Sequence, residues 1–203
     1  MLKLEDYGTI FLLMSFVGAL LISWPALAFV FPARGGERFS ALYVLGPNRM
    51  AEDYPFNVKE NGEYRIFLGV ENHMGSSAYY VLYVKLRGPD EPLPNSTAGI
   101  PSPLSALYEY RVILADEQAW EVPVVFSFRG VSFYGNSCSV DTFIIDGLDV
   151  DVGKVTSWDA ENSGFYVELF FELWIYGNQP DRFSFHDRFV GIWLNVTASS
   201  IGV

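Results

Sequence analysis

From Tyr7 to Ala33 the chain carries no charged residue, and the centre of that run reads "TIFLLMSFVGALLISWPALAFVF". It exceeds the roughly 20 apolar residues that an α-helix needs to cross a hydrocarbon layer about 30 Å thick. The segment therefore predicts one transmembrane helix over residues 8–32, a short cytoplasmic N-terminus at 1–7 and an extracellular domain at 33–203. A cleaved signal peptide is the competing reading, because "PALA" at Pro25 to Ala28 offers a small-x-small cleavage pattern. Against it, the apolar run continues through Phe29, Val30 and Phe31, and "MLKLED" sets one lysine against two acids. Pro25 is expected to end or kink the helix, since it lacks a backbone donor and crowds the preceding turn.

Charge does not orient the helix, because Lys3 lies on one side and Arg34 and Arg38 on the other. The acceptor tripeptides "NST" at Asn95 and "NVT" at Asn195 favour an exported, N-glycosylated C-terminal part. Cys138 is the single cysteine, so no intramolecular disulfide forms and about 165 residues must supply a hydrophobic core instead. A formal net charge of −11 excludes a nucleic-acid partner, whose phosphates need clustered Lys and Arg. The same charge fits an outward-facing soluble surface, or one adapted to acid or salt.

After Pro32, helical periodicity gives way to short β-branched and aromatic runs separated by Gly, Pro, Asn and Asp. Strands are expected at about 39–45, 63–71, 78–87, 107–114, 120–128, 142–148, 165–176 and 188–196. Tyr64, Ile66, Leu68 and Val70 share one face of the second, and Tyr80, Leu82, Val84 and Leu86 one face of the third. Seven or eight such strands with no recurring helix point to an all-β, immunoglobulin-like antiparallel sandwich, although the Cys…Trp…Cys spacing of true immunoglobulins is missing. Between strands, "RGPDEPLPNSTAGIPSPLS" (87–105) holds five prolines and reads as a long exposed loop, for contact or mobile. "FYGNSCS" (133–139) reads as a second irregular loop, with a rarer acceptor-like pattern at Asn136.

Catalytic signals are thin. No G-x-S-x-G elbow occurs, and His73 and His186 both sit among turn residues without a ligand-type partner at metal-binding spacing. "DTFIIDGLDVDVG" gathers Asp146, Asp149 and Asp151, the last two on one side of an extended segment, which makes them weak calcium candidates beside the simpler reading of a solvated loop. No cofactor is expected. "NHMGSS" between the second and third strands reads as turn chemistry, with Gly75 free to take positive φ and Asn72 able to bond local backbone. His73 is kept as an interface candidate. In "GFYVELFFELWIYG" (164–177), the even-numbered face mixes Glu168 and Glu172 with Phe170, Trp174 and Tyr176. That face either meets another protein, a sugar or the membrane surface, or is covered by a loop of the same chain.

The stretch 39–86 places L-G-P at Leu45 to Pro47, A-x-x-Y-P at Ala51 to Pro55 and G-V-x-N-H at Gly69 to His73. It resembles the start of the exported domain in archaeal membrane proteins of domain of unknown function sixteen-sixteen, and 114–128 and 188–197 are similar to later strands of that family. Many members have several membrane helices where this chain has one. The resemblance implies the topology and an archaeal cell-surface setting, and it supplies no reaction. A non-catalytic accessory or interaction subunit of a larger membrane or envelope assembly is therefore expected. Other membrane or envelope proteins would be its partners. A pilin-like filament subunit, with a leader removed near Gly8, and a surface hydrolase or metal-dependent enzyme using the acidic loop are the alternatives.

Overall fold

The computed structural model describes residues 4–30, 37–178 and 181–198, with side chains for 7–21, 37–177 and 182–198. Two compact units are present, 1–38 and 39–203. The first holds helix α1, Leu4–Val30. It starts ahead of the expected Gly8 and continues past Pro25, so the proline does not end it, and the expected boundary at 32–33 lies outside the described residues. Its described side chains show no polar face: Phe11, Leu12, Leu13, Met14, Phe16 and Leu21 all stand exposed. Among the described residues no helix is long and apolar enough to cross a membrane.

The second unit is all-β. Its strands are β1 (Phe39–Leu45), β2 (Asn57–Lys59), β3 (Tyr64–His73), β4 (Ala78–Arg87) and β5 (Tyr108–Leu114), then β6 (Ala119–Tyr134), β7 (Ser137–Ile145), β8 (Leu148–Asp159), β9 (Gly164–Asn178) and β10 (Asp181–Thr197). Hydrogen bonding runs along β1-β3-β6-β7-β8-β9-β10-β2, with β4 on β9 and β5 on β4. Every pairing is antiparallel except the short β10–β2 contact. Only Trp158↔Phe165 and Asp159↔Gly164 join β8 to β9, so one ten-stranded sheet curls on itself at a narrow seam.

One core fills the curl. Ile66, Leu68 and Val70 of β3 and Tyr80, Leu82, Val84 and Leu86 of β4 enter it, as do Val167, Leu169, Phe171 and Leu173 of β9. Each such side chain contributes about 1.5–3 kcal/mol by leaving water. The period-2 faces expected for these three strands are the ones observed.

Two expected loops are hairpins instead. "FYGNSCS" is the tight turn between β6 and β7, where Tyr134 pairs with Ser137 and Gly135 takes φ +56. The acidic segment is the β7–β8 hairpin, turned by Asp146 at φ 47 and Gly147 at φ 81. Asp-Gly between alternating strands is the strongest short hairpin signal, because its turn needs positive φ at both positions.

Candidate functional site

The outward face of β9 is closed over most of its length. Lys85 Nζ lies 2.9 Å from Glu172 Oε2 and donates at 2.9 Å to the Ser102 carbonyl. The Ser102 N–H donates to Glu172 Oε1 at 2.8 Å, and the Trp174 indole to Oε2 at 3.1 Å. Next along the face, Arg87 Nε donates to Glu168 Oε2 at 2.6 Å, while Arg87 Nη1 reaches the carbonyls of Gly88, Pro89 and Glu91. Both ion pairs are buried. Residues 88–105, expected as an exposed loop, form a strap laid across these charges. Phe170, an expected contact residue, is fully buried; Trp174 is half-buried and Tyr176 is 38% exposed.

Near Pro89 the cover gives out. There a cavity of about 350 Å³ opens between Phe56, Pro89, Asp159, Asn162, Tyr166 and Trp193. Phe56 just precedes β2 and is pinned by the Asn195 N–H, which donates to its carbonyl at 2.7 Å. Tyr166 lies 6.0 Å from Phe56 between ring centroids, and its hydroxyl donates to the Asn162 carbonyl at 2.7 Å. Trp193 carries the Arg87 guanidinium 4.8 Å from its ring centroid. Asp159 Oδ1 accepts from the backbone of Glu161 and Asn162, and Oδ2 from Asn162 Nδ2 at 2.7 Å. The Asn162 side-chain bond, then its backbone bond, holds the Asp159 carboxyl below its usual range. Gly164, which opens β9 after this turn, packs closely here: a Cβ would stand 2.5 Å from Asn195 Oδ1 and displace that side chain. An adjoining hollow shares Phe56 and Trp193 and runs on past Tyr54 and Val190.

The two histidines occupy opposite environments. His73 Nδ1 faces Glu117 Oε2 at 2.9 Å and Nε2 faces Glu71 Oε2 at 3.2 Å. Both ring nitrogens must therefore donate; the Glu71 bond leads in raising the pKa, burial opposes it, and Glu117 adds to the rise. Next to it Asn72 is fully buried. Its Nδ2 donates to the carbonyls of Ser76, Leu114 and Ala115, and its Oδ1 accepts from the Met74 N–H and the Tyr80 hydroxyl. The expected turn residue thus fastens two turns together.

From Asn72 a relay of hydroxyls fixes the state of His186. Because the Tyr80 hydroxyl donates to Asn72, Ser40 must donate to Tyr80, and His186 Nε2 must donate to Ser40 at 3.0 Å. A serine nucleophile needs the reverse, an unprotonated nitrogen facing its hydroxyl. Burial lowers the His186 pKa, with Arg188 adding to the effect. Burial also pushes the Cys138 thiol up to about 11, away from the thiolate that nucleophilic chemistry requires.

The acidic candidates are not brought together. Asp146 accepts from the Tyr110 hydroxyl and the Val125 N–H, and Asp149 pairs with Arg129. Among the described residues no group of three or more His, Cys, Asp or Glu could hold a metal. Of the two glycosylation candidates, Asn95 is exposed and its Oδ1 accepts the Ala98 N–H. Asn195 has both side-chain ends engaged, Nδ2 donating to Asn57 and Oδ1 accepting from Phe165. Phe56, Tyr166 and Trp193 were not legible as a group. The only local hint was Tyr166, on the even-numbered face of β9.

No curated protein matches the chain in sequence. A chain of the complex between zinc 2-glycoprotein and prolactin inducible protein from human seminal plasma has a TM-score of 0.38 at 10% identity, covering 81% of this chain and 99% of that one. A β-glucosidase from Listeria innocua in complex with glucose has a TM-score of 0.36 at 9% identity, over 80% of this chain and only 17% of the enzyme. Neither likeness bears on function. Residues 32–132 match the family described as Domain of unknown function (DUF1616), which supports the domain family read from 39–86 and 114–128, while 188–197 lies outside the match.

Proposed function

We propose that this chain is a non-catalytic, single-pass membrane protein whose extracellular β-domain is an accessory or interaction subunit of a larger archaeal membrane or envelope complex. The observation that carries the proposal is the open aromatic cleft beside the strap-covered part of that face. Phe56 is 49% exposed and Trp193 38%, side by side on a strongly acidic domain. Rigid aromatic rings left in water beside a fixed carboxylate are the composition of a recognition site.

The anchor is supported by a run without charge from Tyr7 to Ala33 and by apolar side chains exposed around α1. An immunoglobulin-like sandwich is the finer reading of the curl, its halves β1-β3-β6-β7-β8 and β5-β4-β9-β10-β2 sharing one core. Export would place a glycan on Asn95, whose amide nitrogen is open, in preference to Asn195.

Mild-detergent purification from the native membrane tests the proposal. A stoichiometric partner should co-purify and be lost in Trp193→Ala. Recovery of the wild-type chain as a lone monomer would count against it.

A further inference from the structure

We propose that the cleft between Phe56, Tyr166 and Trp193 binds an organic cation, an alkylammonium or guanidinium group, held over the rings and against the Asp159 carboxylate. This rests on reading the cleft as the recognition site, and it adds the chemistry of what is recognised.

The lining decides the ligand class by what it offers and what it lacks. Three aromatic residues line one cavity of about 350 Å³, Phe56 and Trp193 exposed and Tyr166 nearly buried, and ring faces attract cations within about 6 Å of their centroids. Trp193 already takes one guanidinium in this way, from Arg87 at 4.8 Å. That guanidinium is engaged by Glu168 and three carbonyls, so it remains on its own side of the indole.

Hydrogen-bonding capacity points the same way. Donors in the lining are mostly spent: Tyr166 gives its hydroxyl to Asn162, and Asn162 gives its amide to Asp159. What remains open is mainly acceptor capacity, on Asp159 Oδ2 and Asn162 Oδ1, beside two side-chain donors, the Trp193 N–H and the second hydrogen of Asn162 Nδ2. A ligand that brings donors and positive charge fits this lining. A sugar, whose hydroxyls also need donors, fits it less well. An anion would meet an ionised carboxylate on a chain of net charge −11.

The full-length chain in a polyoxyethylene detergent, free of both sugar and ammonium head groups, suits the test. Its tryptophans are labelled with ¹⁵N, and the Trp193 indole signal is assigned by its loss in Trp193→Phe. Tetramethylammonium chloride and N-acetyl-arginine amide are titrated in turn, against sodium chloride at matched ionic strength and against methyl glucoside. The expected result is a saturable shift of the Trp193 signal with a cation and none with the controls. Affinity should fall about tenfold or more in Asp159→Asn and in Phe56→Leu, for a contact worth upwards of about 1.4 kcal/mol.

Tighter binding of the capped arginine would identify a basic side chain on a partner as the source, and tighter binding of tetramethylammonium a free small cation. Saturation by methyl glucoside alone overturns the proposal. So does a cation response no larger than that of sodium chloride, or unchanged affinity in an Asp159→Asn protein that gives a native spectrum. Cation binding without a co-purifying partner would remove the subunit reading and leave this one standing. A partner lost in Trp193→Ala without cation binding would do the reverse.

Discussion

Two neighbouring stretches of one outward face, on β9 and on β10, have opposite fates. Around Phe170 and Glu172 of β9 the face is sealed by residues 88–105; on β10, Trp193 opposite Glu168 stays 38% exposed beside Phe56, while Tyr166 of β9 is itself buried. The difference lies in charge pairing across strands. Arg87 stands opposite Glu168, and Lys85 opposite Phe170 one pair away, so two cations and two acids collect under the strap. The strap then adds what they lack, the N–H and carbonyl of Ser102 and the carbonyls of Gly88, Pro89 and Glu91. Rings can stay wet at modest cost; unpaired buried charges cannot. A polar strand face is thus finished by its own chain, while Phe56 and Trp193 stay partly in water.

Breaking the sealed half should have the largest effect. Glu172→Ala leaves the Ser102 N–H and the Trp174 indole without their acceptor and the buried Lys85 ammonium without its counter-charge, and should cost about 3–5 kcal/mol. Urea unfolding measures that loss. At the open half, Trp193→Ala should cost less, about 2 kcal/mol, since a side chain 38% exposed has less burial to lose than a core residue. A loss as large as that of Glu172→Ala would mean that the cleft is part of the core.

A smaller effect separates the two histidines. His73, with its pKa raised by Glu71 and Glu117, stabilises the fold fully below about pH 6.5, and its contribution is lost as pH rises through the folded value. His186, lowered by burial, does the opposite: its contribution is full above about pH 6.5 and is lost as pH falls toward its folded value. Melting temperature followed against pH should therefore lose its alkaline decline near neutrality in His73→Gln. An unchanged profile would show that the Glu71–His73–Glu117 contact does not persist in solution.

What was legible in the sequence tracks how local the cause is. Period-2 alternation located the core faces of β3, β4 and β9, because each depends on its own residues alone. β8 is less legible although "LDVDVGKVTSW" alternates, because its acids resemble a solvated loop and only the Asp146-Gly147 turn marks it as the second strand of a hairpin. Asn72 is expected in the turn and does bond its backbone, yet it lies in β3 opposite Ser40, and its bonds to Leu114 and Ala115 join segments far apart in the chain. The cleft was least legible. Phe56, Pro89, the 159–162 turn and Trp193 come from four separate places, and only the curl of the sheet brings them together.

Site-specific photo-cross-linking in native membranes tests most directly whether the open half meets a partner. A benzophenone amino acid at Trp193 or Phe56 preserves an aromatic ring in the cleft, and one at Ile113, which is 69% exposed, serves as the control. The account predicts one discrete adduct from Trp193 and Phe56 and none from Ile113. Adducts of equal yield at all three positions, or at Ile113 alone, would contradict it.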